Sequence, residues 1–199
     1  TTVNPESQMS LNQYLLNKGM VLKLGNKKLT SNIDEPLLID REKLRENLFK
    51  IYRFTNLDND NVYYNPDLQR ILQNYRMLFL YLADEYSDPD KINEVMTHMN
   101  AVMPKDVIKI QRTGLQIYTA EKYLNAGMID DYKQIINDIT KDNNIIKNIE
   151  LAEYLSQVQD FETSNALIKN SLISYPNYSN KKLKECLLSI DKQINQKIN

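Results

Sequence analysis

The side chains able to do chemistry are few and far apart. His98 lies between Met96 and Met99 in a helical pattern, and it is the only histidine in the chain. As a general base it needs a carboxylate brought from elsewhere in the fold. As a packed or solvent-edge helix residue it needs nothing, and that reading is preferred. Cys186, beside Leu187, is the only cysteine. No sequence neighbour supplies the base that makes a thiolate, so it reads as a small buried hydrophobe. The run Asn56-Leu57-Asp58-Asn59-Asp60-Asn61 has the composition of a calcium loop. It lacks the turn glycine and the downstream bidentate Glu, and Asn and Asp are also what turns prefer. A structural loop is the better reading.

The remaining polar clusters are weaker. Asp84-Glu85 and Asp130-Asp131 are adjacent pairs, and neighbouring helix residues diverge by about 100°. Lys181-Lys182-x-Lys184 is a small basic cluster without interleaved aromatics, so it reads as solvated surface and not as a nucleic-acid site. There is no glycine-rich phosphate loop and no Gly-x-Ser-x-Gly elbow. Thirteen tyrosines are the unusual resource. Tyrosine suits binding interfaces, but most of these fall on helical stripes where packing explains them. No catalytic residue, metal ligand or cofactor site is nominated.

Composition agrees with this. The chain has 199 residues, 42% apolar and 26% charged, which suits one domain or one repeat array with a real core. A formal charge of −1 argues against broad electrostatic capture of nucleic acid or an anionic membrane. One cysteine excludes an internal disulfide. The chain begins Thr1-Thr2-Val3, which reads as a piece of something longer, and no signal segment follows. No apolar stretch approaches the ~20 residues of a membrane span, so no membrane insertion of this piece is expected.

Only 4 Gly and 6 Pro punctuate the chain, favouring long helices. Residues 1–39 differ from the rest. A short amphipathic stretch (Met9, Leu11, Leu15, Leu16) ends at Gly19. Met20 to Leu24 then reads as a short strand before the turn-like Gly25-Asn26-Lys27-Lys28, so a small β-hairpin is expected. Such a unit cannot stand alone and must pack on something else.

From Asp40 the pattern is helical. Asp40 caps a helix carrying Leu44, Leu48 and Ile51. Asn65-Pro66-Asp67 starts the next, with the stripe Leu68, Leu72, Tyr75, Phe79, Leu82 and Tyr86. Asp88-Pro89-Asp90 repeats that start signal, and Ile92, Val95, Met96, Met99, Val102 and Met103 follow, stopped by Pro104. A second pair joins a helix ending at Ala126-Gly127 to one with Tyr132, Ile135, Ile136 and Ile139. A third joins Leu151 to Leu155 with Phe161 through Leu172, ending at Tyr175-Pro176. Leu183, Leu187, Ile190, Ile194 and Ile198 mark a closing helix among lysines.

Ala83, Ala120 and Ala152 recur 37 and 32 residues apart, each late in a first helix. Gly127 and Gln159 each follow by seven. A helix-turn-helix period near 34 resembles tetratricopeptide repeats, although the usual small residue of the second helix is Ile92, Tyr132 and Ser164 here. The expected fold is all-α: an N-terminal packing segment at 1–39, antiparallel helix-pair repeats at 40–178, and a capping helix at 179–199.

A further likeness rests on particular residues. Gln13-Tyr14-Leu15-Leu16-Asn17-Lys18-Gly19 with Met20 to Leu24 fits a "YL..EG..YRL" segment. Asn56-Leu57-Asp58, Val62-Tyr63-Tyr64-Asn65, Arg70 and Asn74-Tyr75-Arg76 fit "GL.D..VY.D....R...N.R". Met103-Pro104-Lys105-Asp106-Val107-Ile108 fits the join to later repeats. Asn56 stands where Gly is common, and Asn65 where Asp is common. Order and spacing resemble the C-terminal region of a bacterial family of large multi-pass membrane proteins, similar to the animal transmembrane O-mannosyltransferase. The resemblance implies a parent glycosyltransferase of the lipid-linked-sugar type, whose catalytic acid lies in the membrane part. This chain would be its extracytoplasmic (periplasmic) C-terminal domain, partnered by the membrane-embedded N-terminal part, with an acceptor protein or peptide as the further candidate partner. The family-motif residues are Tyr63, Arg70, Asn74 and Arg76. Arginine forks suit sugars, phosphates or carboxylates, but the preferred expectation is that Arg70, Asn74 and Arg76 pin the Asn56–Asn65 loop. A free-standing helical-repeat adaptor that binds peptides is the alternative.

Overall fold

A computed structural model describes residues 11–29, 38–141 and 144–174, together with 185, 188 and 192. Cys186, the lysine cluster at 181–184 and nearly all of the expected capping helix lie outside the described residues. The chain divides into two compact units: residues 1–111 with 122–127, and residues 112–121 with 128–199.

The first unit opens with a 3-10 turn, Leu11–Tyr14, and three short strands: β1 (Leu15–Asn17), β2 (Leu22–Leu24) and β3 (Leu38–Ile39). β1 and β2 form the expected antiparallel hairpin, with Leu16 opposite Lys23. The sequence pattern did not reveal β3, which adds a parallel pairing to β1 and completes a sheet of order β2-β1-β3. The fold is thus mostly helical with a small N-terminal sheet that has one strand more than the expected hairpin.

Gly19 turns the hairpin at φ 122, a conformation that side chains avoid. Its amide donates to the Asn17 side chain at 2.7 Å, and the Tyr52 hydroxyl accepts from the Met20 amide at 3.0 Å. Asn47 Nδ2 donates to the Lys18 carbonyl. The hairpin turn is thus clamped by the helix that follows it.

That helix, α1 (Arg41–Glu46), is capped by Asp40, whose carboxylate accepts from the Lys43 amide at 3.1 Å. It widens into a π turn over Asn47–Ile51, closed by the Tyr52 amide on the Asn47 carbonyl. Leu44 and Leu48 are buried as expected, but Ile51 is 51% exposed. The wider turn rotates it off the apolar stripe.

Helix α2 (Pro66–Asp84) begins at Asn65, whose side chain accepts from the Leu68 amide at 2.8 Å. Helix α3 (Pro89–Val102) begins at Asp88 in the same way. The short connection returns α3 against α2, and Phe79, Leu80, Leu82, Val95, Met96 and Met99 are fully buried.

Helix α4 (Thr113–Asn125) contributes its last turn to the first unit and the rest to the second. The second unit continues with α5 (Ile129–Lys141), α6 (Ile145–Gln157) and α7 (Phe161–Ser174). α6 packs closely on α7, and α5 packs on α6. Ser164 Oγ donates to the Ala152 carbonyl at 2.9 Å, so a small residue on each helix brings two backbones together. Tyr132 stands where Ser164 does and is too bulky for that approach.

Candidate functional site

The four family-motif residues do not assemble into one site. Tyr63, in the segment leading into α2, is 85% exposed. Arg70 points to solvent and reaches only Asp67 of its own helix, at 3.4 Å. Asn74 is half-buried. Arg76 is fully buried. Residues 70 and 76 are six apart, about 240° around a helix, so they lie on different faces.

Arg76 does not pin the Asn56–Asn65 loop, contrary to expectation. Its Nη2 donates to the carbonyls of Met103 at 3.1 Å and Ile108 at 2.9 Å. It therefore fixes the segment that leaves α3, where Pro104 prevents the helix from continuing. Tyr64 and Leu72 pack with Met103 and Ile108 in a single apolar cluster. The carbonyls at a helix C-terminus carry partial negative charge, which suits a cation. Burial nonetheless holds the guanidinium down to about 10, partly opposed by the nearby Tyr123. Nε and Nη1 make no hydrogen bond to any of the described residues.

The Asn56–Asn65 loop is held by other groups. The Tyr64 hydroxyl donates to the Asn56 carbonyl, and Gln69 Nε2 donates to the Tyr64 carbonyl at 3.0 Å. Asn56 itself sits at φ 65, which explains why glycine suits that position. Among the described residues, no group of three or more His, Cys, Asp or Glu side chains could hold a metal ion.

His98 is a packing residue here. Its ring stacks on Phe49 at 4.2 Å and meets Phe79 edge-on at 5.8 Å. Its Nε2 lies 3.4 Å from the Leu48 carbonyl. Beside it opens a cleft of about 350 Å³ with Phe49, Phe54, Arg53, Asn56 and Asp58 on its walls. Arg45 lies over the other end of this aromatic group, 4.3 Å from the Phe49 ring centre, and pairs with Glu94. Hydrogen bonding from Arg45 holds the Glu94 carboxyl below its usual range.

In the second unit the unusual groups are two tyrosines whose positions in the sequence mark them only as stripe residues. Tyr132 and Tyr154 are buried, and neither hydroxyl has a hydrogen-bond partner among the described residues. Burial raises the Tyr132 hydroxyl to about 12, with Asp160 adding repulsion. Burial raises Tyr154 further, with Tyr132 and Glu121 contributing. Helical phase alone signals their burial; nothing in the sequence signals that their hydroxyls lack partners.

Neither protein-family models, nor curated proteins, nor solved structures yield a match to this chain.

No helix among the described residues is long and apolar enough to cross a membrane.

Proposed function

We propose that this chain is the non-catalytic, extracytoplasmic C-terminal domain of a membrane-embedded glycosyltransferase-like protein of the lipid-linked-sugar type, where it stabilises the enzyme or engages the acceptor. It takes no cofactor or metal, binds no nucleic acid, and inserts no segment of its own into the membrane. The observation that best supports this reading is the N-terminal sheet. Its strands are two or three residues long, too small to be stable unaided, yet Val21, Leu24 and Leu38 stay 65%, 56% and 41% exposed. Exposed apolar side chains on and beside a marginal sheet suit a surface covered by another part of a larger protein. In the family it resembles, this segment follows the membrane part directly.

The test is made in the parent protein. Deleting this domain is expected to impair sugar transfer or acceptor choice, and Val21→Asp with Leu24→Asp to weaken its association with the membrane part. Unimpaired transfer after deletion removes the reading.

The second reading is a free-standing tetratricopeptide-like adaptor. The Ala152–Ser164 approach of α6 and α7 favours it, being the close helix pairing such repeats use. An upstream gene sequence without hydrophobic spans would select it over the first.

A further inference from the structure

The cleft beside His98 combines a fixed apolar wall with polar side chains that have no work in the fold. It encloses about 350 Å³, within the range of small-ligand sites. Its apolar lining includes Phe49, Phe54 and Val102, all half-buried. Those rings are held in place. The His98 ring stacks on Phe49 at 4.2 Å, and Tyr52 and Tyr75 meet Phe54 edge-on at 6.5 and 5.8 Å. The polar lining comes from Arg53, Thr55, Asn56 and Asp58, which are exposed. Among the described residues, none of these four side chains makes a hydrogen bond or an ion pair. Two backbone irregularities border the same cleft: the π turn that carries Leu48 and Phe49, and left-handed Asn56 at φ 65. Both kinds of irregularity recur at functional sites.

The lining restricts what can bind. Arg53 and Asp58 are of opposite charge, so a phosphate or carboxylate meets Asp58 and a lone ammonium meets Arg53. A wholly apolar ligand takes water from four polar side chains and returns no hydrogen bond. A zwitterion matches the two charges but leaves Thr55 and Asn56 unused. A neutral polyol suits all four, because each hydroxyl both donates and accepts. The C–H face of a sugar ring also suits the aromatic wall. We propose that this cleft binds one ring of a neutral carbohydrate, with Arg53 donating to its hydroxyls, Asp58 accepting from them and Asn56 doing both. The site stands on the cleft alone and holds under either reading of the chain's role.

The test titrates the whole isotope-labelled chain with the methyl glycosides of glucose, galactose, mannose and N-acetylglucosamine, followed by amide chemical shifts. At least one glycoside is expected to shift Arg53, Asn56, Asp58 and His98 together, with a dissociation constant on the order of 1–10 mM. Arg53→Ala and Asp58→Ala, at exposed positions, should each keep the spectrum of the folded chain and weaken that binding about tenfold. Lys133→Ala, on α5, should bind as the unaltered protein does. Glycine and inorganic phosphate are run in parallel. No response to any glycoside up to about 50 mM, ten times or so the expected constant, overturns the proposal. So do shifts centred away from the cleft, unchanged binding in both cleft variants, or a cleft response to glycine or phosphate alone.

Discussion

The two partnerless hydroxyls of the second unit make a prediction that runs against ordinary expectation for buried aromatics. Tyr132 and Tyr154 are 8% and 7% exposed, and truncating a large core side chain normally destabilises. Tyr→Phe at these positions, however, removes only an oxygen that has no hydrogen bond. At pH 7 each variant should lie within about 1 kcal/mol of the unaltered protein. Tyr123→Phe is the contrast, because its hydroxyl donates to Asn100 Oδ1 and its loss should destabilise by about 1–2 kcal/mol. The sign of the pH dependence follows from linkage. Tyr132 has its pKa raised from 10.0 to about 12 in the fold, so between those values the native state keeps a proton that the unfolded chain has lost. The stabilisation from keeping it neutral is fully present below pH 10 and drains away as pH rises through the folded value. The slope is about −1.4 kcal/mol per pH unit for one such group. Tyr154, shifted in the same direction, doubles it. From pH 10, where the unfolded tyrosines are half deprotonated, to pH 11 the pair should remove about 2 kcal/mol, a loss absent in the double Phe variant. Urea unfolding followed by circular dichroism at a series of pH values measures this difference directly. Identical slopes in the two proteins, or single Phe variants as damaged as Tyr123→Phe, would refute the reasoning.

Other perturbations separate backbone from side-chain effects. Arg76→Met should destabilise by about 1–3 kcal/mol in urea titrations, since the carbonyls of Met103 and Ile108 lose their donor while a burial penalty of about 3 kcal/mol is relieved. Arg76→Ala, which also opens a cavity, should lose at least about 2 kcal/mol more, and equal losses would count against this account. Gly19→Ala should lower stability by about 2 kcal/mol or more in thermal melts, because φ 122 is strained for alanine and its Cβ would collide with the Tyr52 hydroxyl. Gly114→Ala, at an open helical position, should instead stabilise by about 0.5–1 kcal/mol. Asn56→Gly relieves a left-handed residue at φ 65 and should be neutral or stabilising, whereas Asn56→Val should destabilise by about 1–2 kcal/mol in the same melts.

The elements legible in the sequence are those with local causes. Asn65-Pro66-Asp67 and Asp88-Pro89-Asp90 each combine a capping side chain with a residue whose missing amide proton suits the first helical turn, and both start helices where expected. The alignment of Gly127 with Gln159 has a backbone counterpart: both sit left-handed, at φ 70 and 65, just after a helix. Ala83, Ala120 and Ala152 are all buried. The features that escaped depend on distant partners. β3 is two residues long and exists through its parallel pairing to β1, a contact that no local period encodes. The π turn that exposes Ile51 arises where the Tyr52 amide bonds to the Asn47 carbonyl, and its apolar spacing is that of an ordinary helix.

For the candidate site, position carried more information than residue type. By residue type alone, Arg76 is a guanidinium able to grip a ligand, and the nearest polar loop offers it a structural partner. Its phase said otherwise. It follows Leu72 by four residues and precedes Phe79 by three, so it belongs to the apolar stripe of α2 and must be buried with it. A buried guanidinium needs acceptors. One is the carbonyl of Met103, which ends α3, and the other is that of Ile108, in the segment after Pro104, 27 and 32 residues away along the chain. The spacing that made Arg76 look like part of a binding motif is therefore met by the demand of α2 and α3 for a polar link across an otherwise apolar interface. Tyr63 has no such explanation. It is a large side chain held 85% exposed beside the apolar cluster of Tyr64 and Val62, which makes it the motif residue most accessible to a partner. Substituting Tyr63 should leave stability within about 0.5 kcal/mol, so any change in parent activity would report contact and not folding.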